Sequence, residues 1–347
     1  MTENHYQPVF ELTRGNTVES IHFGAIAVVT SQGNLIAQHG DPHTKTFLRS
    51  TAKPFQALPF VEQEGPQSFR FTPKEIALMC ASHSGTDGHV TVVQSLQKKA
   101  GISENHLRCG VHPPFHEPTQ KALQARGKEP TPNHHNCSGK HSGMLSLARL
   151  NSWPLEDYLD PAHPAQQKIL RAFAEMCDLE PERVSLGTDG CSAPNFAVPL
   201  YNAALAYARM CDPNGLPAKR TAACHTITQA MTSHPKMVAG PDRFDTYLME
   251  TTQGRIVAKG GAEGYQGIGL MPGALGPDSP ATGIAFKISD GGARKNLRAA
   301  VALEILRQLK ALSETELEAL AQFGPTFPVH SWHKTVVGEG RPCFVIA

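Results

Sequence analysis

Segments with strand character lie near both ends of this 347-residue chain, and the long middle reads as helical. Remote ends can share one sheet only if the chain leaves it and returns. The pattern therefore predicts an α/β (α+β) fold over residues 1–347 as a single unit: a sheet lobe from about 1–50 and 240–347, and a mainly helical lobe from about 51–239. Two lobes sharing a cleft is the economical arrangement. At the front, Ile21–Val29, the turn Ser31-Gln32-Gly33-Asn34 and Leu35–His39 read as a β-hairpin. At the back, a Gly-rich, β-branched zone at about 255–290 supplies short strands including Gly283–Ser289, with a last strand near Thr335–Val337.

The middle is punctuated by helix signals. Pro54 is tolerated only in a first turn, so a helix begins at about Ser50. Thr72-Pro73-Lys74-Glu75 is a capping box leading into Cys80-Ala81-Ser82, and Asp87 caps a helix reaching about Lys99. Further helices are expected at Pro161–Met176, at about 196–211 and at about 218–232. After Gly291-Gly292 a helix runs through Leu312 on a stripe of Leu297, Val301, Ile305 and Leu309, with Asp290 as its cap. Residues 110–136, rich in Pro and His, read as a long ordered loop.

Charge narrows the partners. The formal net charge is +1 with Lys and Arg scattered, which gives no electrostatic footprint for nucleic acid or an anionic membrane. A small neutral or zwitterionic molecule is the expected ligand. MTENHYQPVF lacks the basic and apolar regions of a leader, and no apolar run approaches a membrane span, so a cytoplasmic protein is expected. Eight cysteines are too sparse for a disulfide scaffold in a chain of this length.

Ser50-Thr51-Ala52-Lys53 is the densest candidate chemistry. Positions i and i+3 share a helix face, so the Ser50 hydroxyl and the Lys53 amine can converge. A desolvated amine can take a hydroxyl proton and activate a serine. The same spacing recurs at Ser95–Lys98, Ser233–Lys236 and Ser331–Lys334, where solvated surface pairs are the simpler reading. What distinguishes Ser50 is its setting at a helix start, where free N–H groups can hold an oxyanion. Ser82-His83-Ser84 and Lys259-Gly260-Gly261 follow in the order that serine β-lactamases and penicillin-binding proteins use for S-x-x-K, S-x-N and K-T-G, without the Asn or the Thr.

A second dense region comprises His134-His135-Asn136-Cys137-Ser138-Gly139-Lys140-His141 and Asp189-Gly190-Cys191. Two thiolates with nitrogen or oxygen donors suit tetrahedral zinc, although no zinc-finger spacing occurs; two buried structural cysteines beside surface histidines is the competing reading. By donor chemistry alone His141 or His135 would complete the set.

Together with Ser50-Thr51-Ala52-Lys53-Pro54, Ala81-Ser82-His83-Ser84-Gly85, Ala258-Lys259-Gly260-Gly261-Ala262-Glu263-Gly264 and Ser289-Asp290-Gly291, these blocks resemble the Rhizobium etli-type L-asparaginases, the asparaginase II or class 3 family, in order and over nearly the whole chain. The resemblance implies a serine β-lactamase-like fold, a mainly antiparallel sheet covered by helices beside a helical lobe. It implies a homodimer that hydrolyses L-asparagine to L-aspartate and ammonia. It assigns Ser50 with Lys53 and Ser82 with Lys259 as catalytic pairs, and Cys137, Lys140 and Cys191 as ligands of one zinc per chain. Arg49, His83, Asp189 and Gly260 are the candidate substrate contacts, with a carboxylate ion pair near the helix start the competing reading for Arg49 and a supporting hydrogen-bond role, not acid–base catalysis, the reading for His83 and His141. A lysine ligand must be neutral, which requires its amine pKa to fall far below about 10.4. Two competing functions are a β-lactamase-like amidase or esterase acting on glutamine or a peptide, and a non-catalytic binding homologue.

Overall fold

The computed structural model describes residues 5–292, 294 and 296–347; the first four residues of the leader reading lie outside them. The chain forms two compact units. One comprises Met1–Arg49, Val198–Asp212 and Thr251–Ala347, the other Ser50–Ala197 and Pro213–Glu250.

In the first unit the strands are β1 (Gln7–Arg14), β2 (Thr17–Thr30), β3 (Leu35–His39) and the short β4 (Lys45–Phe47). The hairpin β5 (Ser185–Thr188) and β6 (Pro194–Pro199) intervenes before β7 (Ile256–Gly260), β8 (Tyr265–Leu270), β9 (Thr282–Ile288), β10 (Phe327–His330) and β11 (Val336–Pro342). Among the described residues eight strands make an antiparallel sheet ordered β10-β11-β1-β2-β9-β8-β7, with β3 also on β2. The two ends of the chain thus meet in one sheet. Strand β2 is mostly exposed up to Phe23 and wholly buried from Gly24 to Thr30. The change follows its neighbours, because the second half lies between β9 and β3 and is covered on both faces.

Helix Leu200–Cys211 packs on β2, β8 and β9. Its seat is made of glycine: a Cβ at Gly283 would lie 1.8 Å from Ala204 O, one at Gly267 2.2 Å from the Tyr207 ring and one at Gly269 2.4 Å from Cys211 Sγ. Gly267 and Gly269 alternate onto one face, and Gly283 pairs with Gly269, so the three form a flat patch for the helix. Helix Leu297–Gln308 contacts the other face, where Arg298 donates to Gln266 Oε1 at 2.7 Å.

The second unit is organised around helix Lys53–Glu62, in which every residue from Lys53 to Val61 is buried. Helices Ser138–Leu150, Pro164–Met176 and Ala218–Ser233 surround it. Phe55, Phe173 and Phe196 form an aromatic run with centroids 5.8 and 4.6 Å apart. Buried Arg220 ties the bundle by bonding Glu62, and Glu175 at 2.9 Å. Two turns then reach the chemistry. One joins helices Pro73–Met79 and Asp87–Ala100; the other closes the β5–β6 hairpin.

Several local expectations change. The chain opens with β1, ahead of the expected hairpin. Residues 196–199 belong to a strand, and the helix starts only after Pro199. The 110–136 segment holds a short helix, Glu117–Ala125. Helix Asp87–Ala100 is capped by Thr86, whose hydroxyl accepts from His89 N. Asp290 caps no helix: it accepts from Gly292 N at 3.0 Å and binds His22 Nδ1 at 2.6 Å. Helix Ser138–Leu150 was absent from the sequence expectation. Its polar Ser138, Lys140, His141, Ser142 and Ser146 are buried, so no polar face marks it as amphipathic.

Candidate active site

Within the second unit Ser50 lies in a 3₁₀ turn, Arg49–Ala52, that runs into helix Lys53–Glu62. Arg49 has φ of 52°, a left-handed conformation that costs a non-glycine residue free energy and is concentrated at functional turns. Its guanidinium lies 3.7 Å from Glu263 Oε1. One turn beyond Ser50, Lys53 is 1% exposed, and its Nζ donates to Ala81 O at 2.6 Å, Ser82 Oγ at 2.9 Å and Asn136 O at 3.5 Å. The structure therefore joins Lys53 to Ser82 directly.

Ser82 is held by its surroundings. Its N–H donates to Val238 O, and the neighbouring Ser84 hydroxyl donates to Ala239 O at 2.7 Å. Helix Ser138–Leu150 crosses the end of helix Pro73–Met79 so closely that a Cβ on Gly139 would stand 2.2 Å from Leu78 O. That crossing brings Asn136 and Cys137 beside Ala81 and Ser82.

His83, expected against a ligand, is completely buried. Gly85 N–H donates to its Nδ1 at 3.1 Å, so the neutral ring carries its proton on Nε2 and donates to Ser138 Oγ at 2.9 Å. Burial, with the charges of His89 and Lys53, holds its pKa well below 6.5. Both nitrogens are consumed internally, which makes His83 a brace behind Ser82.

The thiol cluster adjoins this network. Lys140 Nζ donates to Cys191 Sγ at 3.0 Å. The Cys191 thiol donates to Cys137, which lowers the Cys137 pKa well below 9.0 with help from Lys53 and Lys140; the same shared proton raises that of Cys191. Burial alone would discharge Lys140, but Cys191, Cys137 and Asp189 outweigh it and raise its pKa. Asp189 turns one oxygen to Gly190 N at 2.9 Å and the other toward Cys191 Sγ at 3.9 Å. Cys109 is electrostatically coupled to both thiols, and its own pKa is pushed up to about 12 by burial and by Cys137 and Cys191. His141 faces Tyr158 OH through Nδ1 at 2.7 Å, and burial pushes its pKa down to about 4 despite a bond with Cys191 that works the other way.

Among the described residues no group of three His, Cys, Asp or Glu is arranged for a metal. Any metal here depends on Lys140. Two sulfurs and the amine that bonds one of them are a donor set whose chemistry fits zinc, provided Lys140 sheds the proton that the thiolates now stabilise.

Lys259 and Gly260 end β7 in the first unit. Lys259 is 1% exposed, donates from Nζ to Gly260 O at 2.9 Å, and stands opposite Gly267. Gly260 lies under the Arg298 guanidinium, 1.6 Å from where a Cβ would be. The sequence reading missed the Asn136 carbonyl, His112, whose Nε2 accepts from Asn136 N at 3.1 Å, and Tyr158. Asn136 falls inside the flagged His134–His141 block; Tyr158 had no signal.

Comparison with known proteins adds family to geometry. The matching solved structures include a Bacillus glutaminase, 11% identical over 83% of this chain and 91% of that one, with a TM-score of 0.39. Another is a probable glutaminase from Bacillus subtilis complexed with 6-diazo-5-oxo-L-norleucine, 11% identical over 83% and 84%, TM-score 0.37. A third, Mglu in its tris and glutamate form, is 15% identical over 82% and 59%, TM-score 0.35. No curated protein matches. The family model described as L-asparaginase II matches residues 10–342, and that span includes every residue of the Lys53 network and the thiol cluster: the chain belongs to the L-asparaginase II family.

Proposed function

We propose that this amidohydrolase cleaves L-asparagine to L-aspartate and ammonia with Ser50 as nucleophile. The observation that carries the reading is the buried Lys53 amine, 2.9 Å from Ser82 Oγ and one helical turn from Ser50, in a member of an asparaginase family. As a neutral amine, Lys53 could keep N–H bonds to Ala81 O and Asn136 O while accepting a hydroxyl proton. Ser50 Oγ attacks the side-chain carboxamide carbon and passes its proton to Lys53. The C–N bond breaks as Lys53, through Ser82, protonates the leaving nitrogen. Backbone N–H groups at the start of the helix that follows Ser50 would stabilise the oxyanion, and water then cleaves the acyl ester.

Cys137, Lys140 and Cys191 would hold zinc, whose charge supplies an anchor for the amino-acid end of a substrate; two thiolates reduce its power to activate water. The role of Lys259 rests on its motif. Asp189 and Arg49 remain the proposed substrate contacts, and a homodimer is proposed from the family likeness, to be tested by light scattering.

The test is ammonia release from L-asparagine and L-glutamine by zinc-loaded wild type and Ser50→Ala. Asparagine turnover lost in the variant supports both substrate and nucleophile, and full activity of Ser50→Ala rejects Ser50. Turnover of glutamine alone moves the substrate, and no ammonia from any amide favours a binding protein. The direct Lys53–Ser82 bond favours one second reading, Ser82 as nucleophile. Peptide mapping of the adduct left by an electrophilic asparagine analogue decides between the two serines.

A further inference from the structure

We infer that Ser84 is a positioning residue for the proposed reaction: its hydroxyl ties the Ser82 turn to the end of the short helix Pro235–Val238, and this clamp holds Ala81 O and Ser82 Oγ on the Lys53 amine. The inference rests on the Lys53–Ser82 reading above and adds what keeps those groups in register.

The helix end and the turn complete each other. A helix leaves its last carbonyls without partners of their own inside the helix. Here Ser82 N–H donates to Val238 O at 2.9 Å, and the Ser84 hydroxyl, in a residue only 2% exposed, donates to Ala239 O at 2.7 Å. The same turn delivers Ala81 O at 2.6 Å and Ser82 Oγ at 2.9 Å to Lys53 Nζ. Ser82 thus meets a fixed carbonyl through its N–H and the amine through its Oγ.

The helix end is itself anchored, which makes it a fixed reference for the turn. Buried Thr246 donates from Oγ1 to Gly240 O at 2.7 Å, with Pro235 O 3.2 Å away. Thr86 N–H donates to His89 Nδ1 at 3.1 Å, so the neutral ring carries its proton on Nε2 and donates to Lys236 O at 2.8 Å. Gly240 has φ of 116°, and a Cβ there would stand 2.3 Å from Ser84 Oγ. Only glycine supplies both that backbone and the close approach of Ser84. Removing the Ser84 hydroxyl leaves Ala239 O without that donor in a buried residue, so the turn and the helix end lose their register. A shift of about 1 Å between Ser82 Oγ and Lys53 is enough to cost on the order of 100-fold in rate.

The test uses Ser84→Ala in the zinc-loaded full chain, with ammonia-release kinetics, zinc content, thermal melting and hydrogen exchange read by mass spectrometry on peptides that cover Ser82. Expected is a kcat lower by about ten- to hundredfold, a KM within about threefold of wild type and faster exchange of the Ser82 amide. Ser146→Ala is the control. It deletes the same kind of bond, a buried Oγ donating to Ser142 O at 2.7 Å, inside a helix and away from the turn, and should keep wild-type kcat. Thr246→Val and Thr246→Ser probe the clamp from its other end. The valine removes the bond to Gly240 O and should lower kcat, and the serine keeps the hydroxyl and should stay within a few fold of wild type.

Wild-type kcat in Ser84→Ala overturns the proposal. A kcat loss with unchanged exchange at Ser82 also overturns it, because the hydroxyl would then act elsewhere. So does an equal kcat loss in Ser146→Ala, which would assign the effect to lost stability. Wild type that releases no ammonia from L-asparagine or L-glutamine overturns the reaction and this inference with it, a failure visible in the wild type alone and so distinct from failure of the clamp. If Ser84→Ala does not fold, the Thr246 pair decides: a kcat loss in the valine variant that serine rescues supports the clamp, and unchanged kcat or equal loss in both refutes it.

Discussion

Replacing Gly139 by Ala tests whether the active-site geometry depends on the close crossing of two helices. The added Cβ would stand 2.2 Å from Leu78 O and 2.9 Å from both Leu78 C and Leu78 Cγ, whereas real Cβ contacts essentially never fall below 3.0 Å. Backbone carbonyls cannot swing aside, so helix Ser138–Leu150 must retreat by roughly 1 Å, an overpacking strain of about 2 kcal/mol. For a protein of this size that lowers Tm by roughly 3 °C. The larger effect falls on function. Asn136 O is already 3.5 Å from Lys53 Nζ and 3.3 Å from His83 N, so the same retreat breaks both bonds and frees Lys53 and the Ser82 turn. A displacement of that size at reacting groups costs on the order of 100-fold in kcat. The assay is ammonia release with differential scanning fluorimetry, and Gly88→Ala is the control. Its Cβ meets only Thr86 Oγ1 at 3.7 Å in an ordinary first helical turn, so it should be neutral or slightly stabilising. Wild-type Tm and kcat in Gly139→Ala would refute the argument that this crossing sets the site.

Lys53→Met keeps the length of the buried stem and removes the amine, so kcat for ammonia release should fall about 10²- to 10⁴-fold in a protein with unchanged far-UV circular dichroism; near-normal turnover would eliminate Lys53 as the base. Gly260→Ala drives a methyl into the Arg298 guanidinium and should reduce both Tm and activity, while the double variant with Arg298→Ala should recover part of the Tm loss. Additive losses would show that the two residues do not share that space. Buried Glu75 loses affinity for water, which raises its pKa, yet Lys99, Thr72 N–H and Ser95 outweigh this and hold it below 4.5. Its contribution is therefore present above pH 4.5 and lost as pH falls through the lower folded-state pKa. Urea titrations of wild type and Glu75→Gln should differ most above pH 4.5 and converge in acid; a constant difference would contradict that linkage.

Much of the local structure is written in short-range signals. The Thr72–Glu75 capping box forms, with Thr72 N donating to the Glu75 carboxylate at 2.6 Å, because both partners lie within one turn. Pro54 lies in the first turn of its helix, where its fixed φ and missing N–H cost nothing, although the same helix also accommodates Pro59 in its interior. The alternating glycines at 267 and 269 show in the sequence as strand positions without bulk. Only the packed helix Leu200–Cys211 explains them. The sequence also groups Ser50, Lys53, Ser82, Cys137, Lys140 and Cys191 as chemistry-bearing positions, because rare residue types stand in tight motifs.

What those residues do to one another is decided by tertiary contacts. Lys53 binds Ser82 Oγ, 29 positions away, because two helix ends and the Asn136 carbonyl converge on one amine. His83 was expected to face a ligand, yet bonds from Gly85 and to Ser138 consume both its nitrogens. Helix Ser138–Leu150 escaped notice because its polar side chains are buried among partners, so periodicity carries no signal. Sequence motifs name the chemical groups through local spacing. Burial, tautomer and shared protons depend on groups distant in sequence, and only the folded chain brings them within a hydrogen bond's reach.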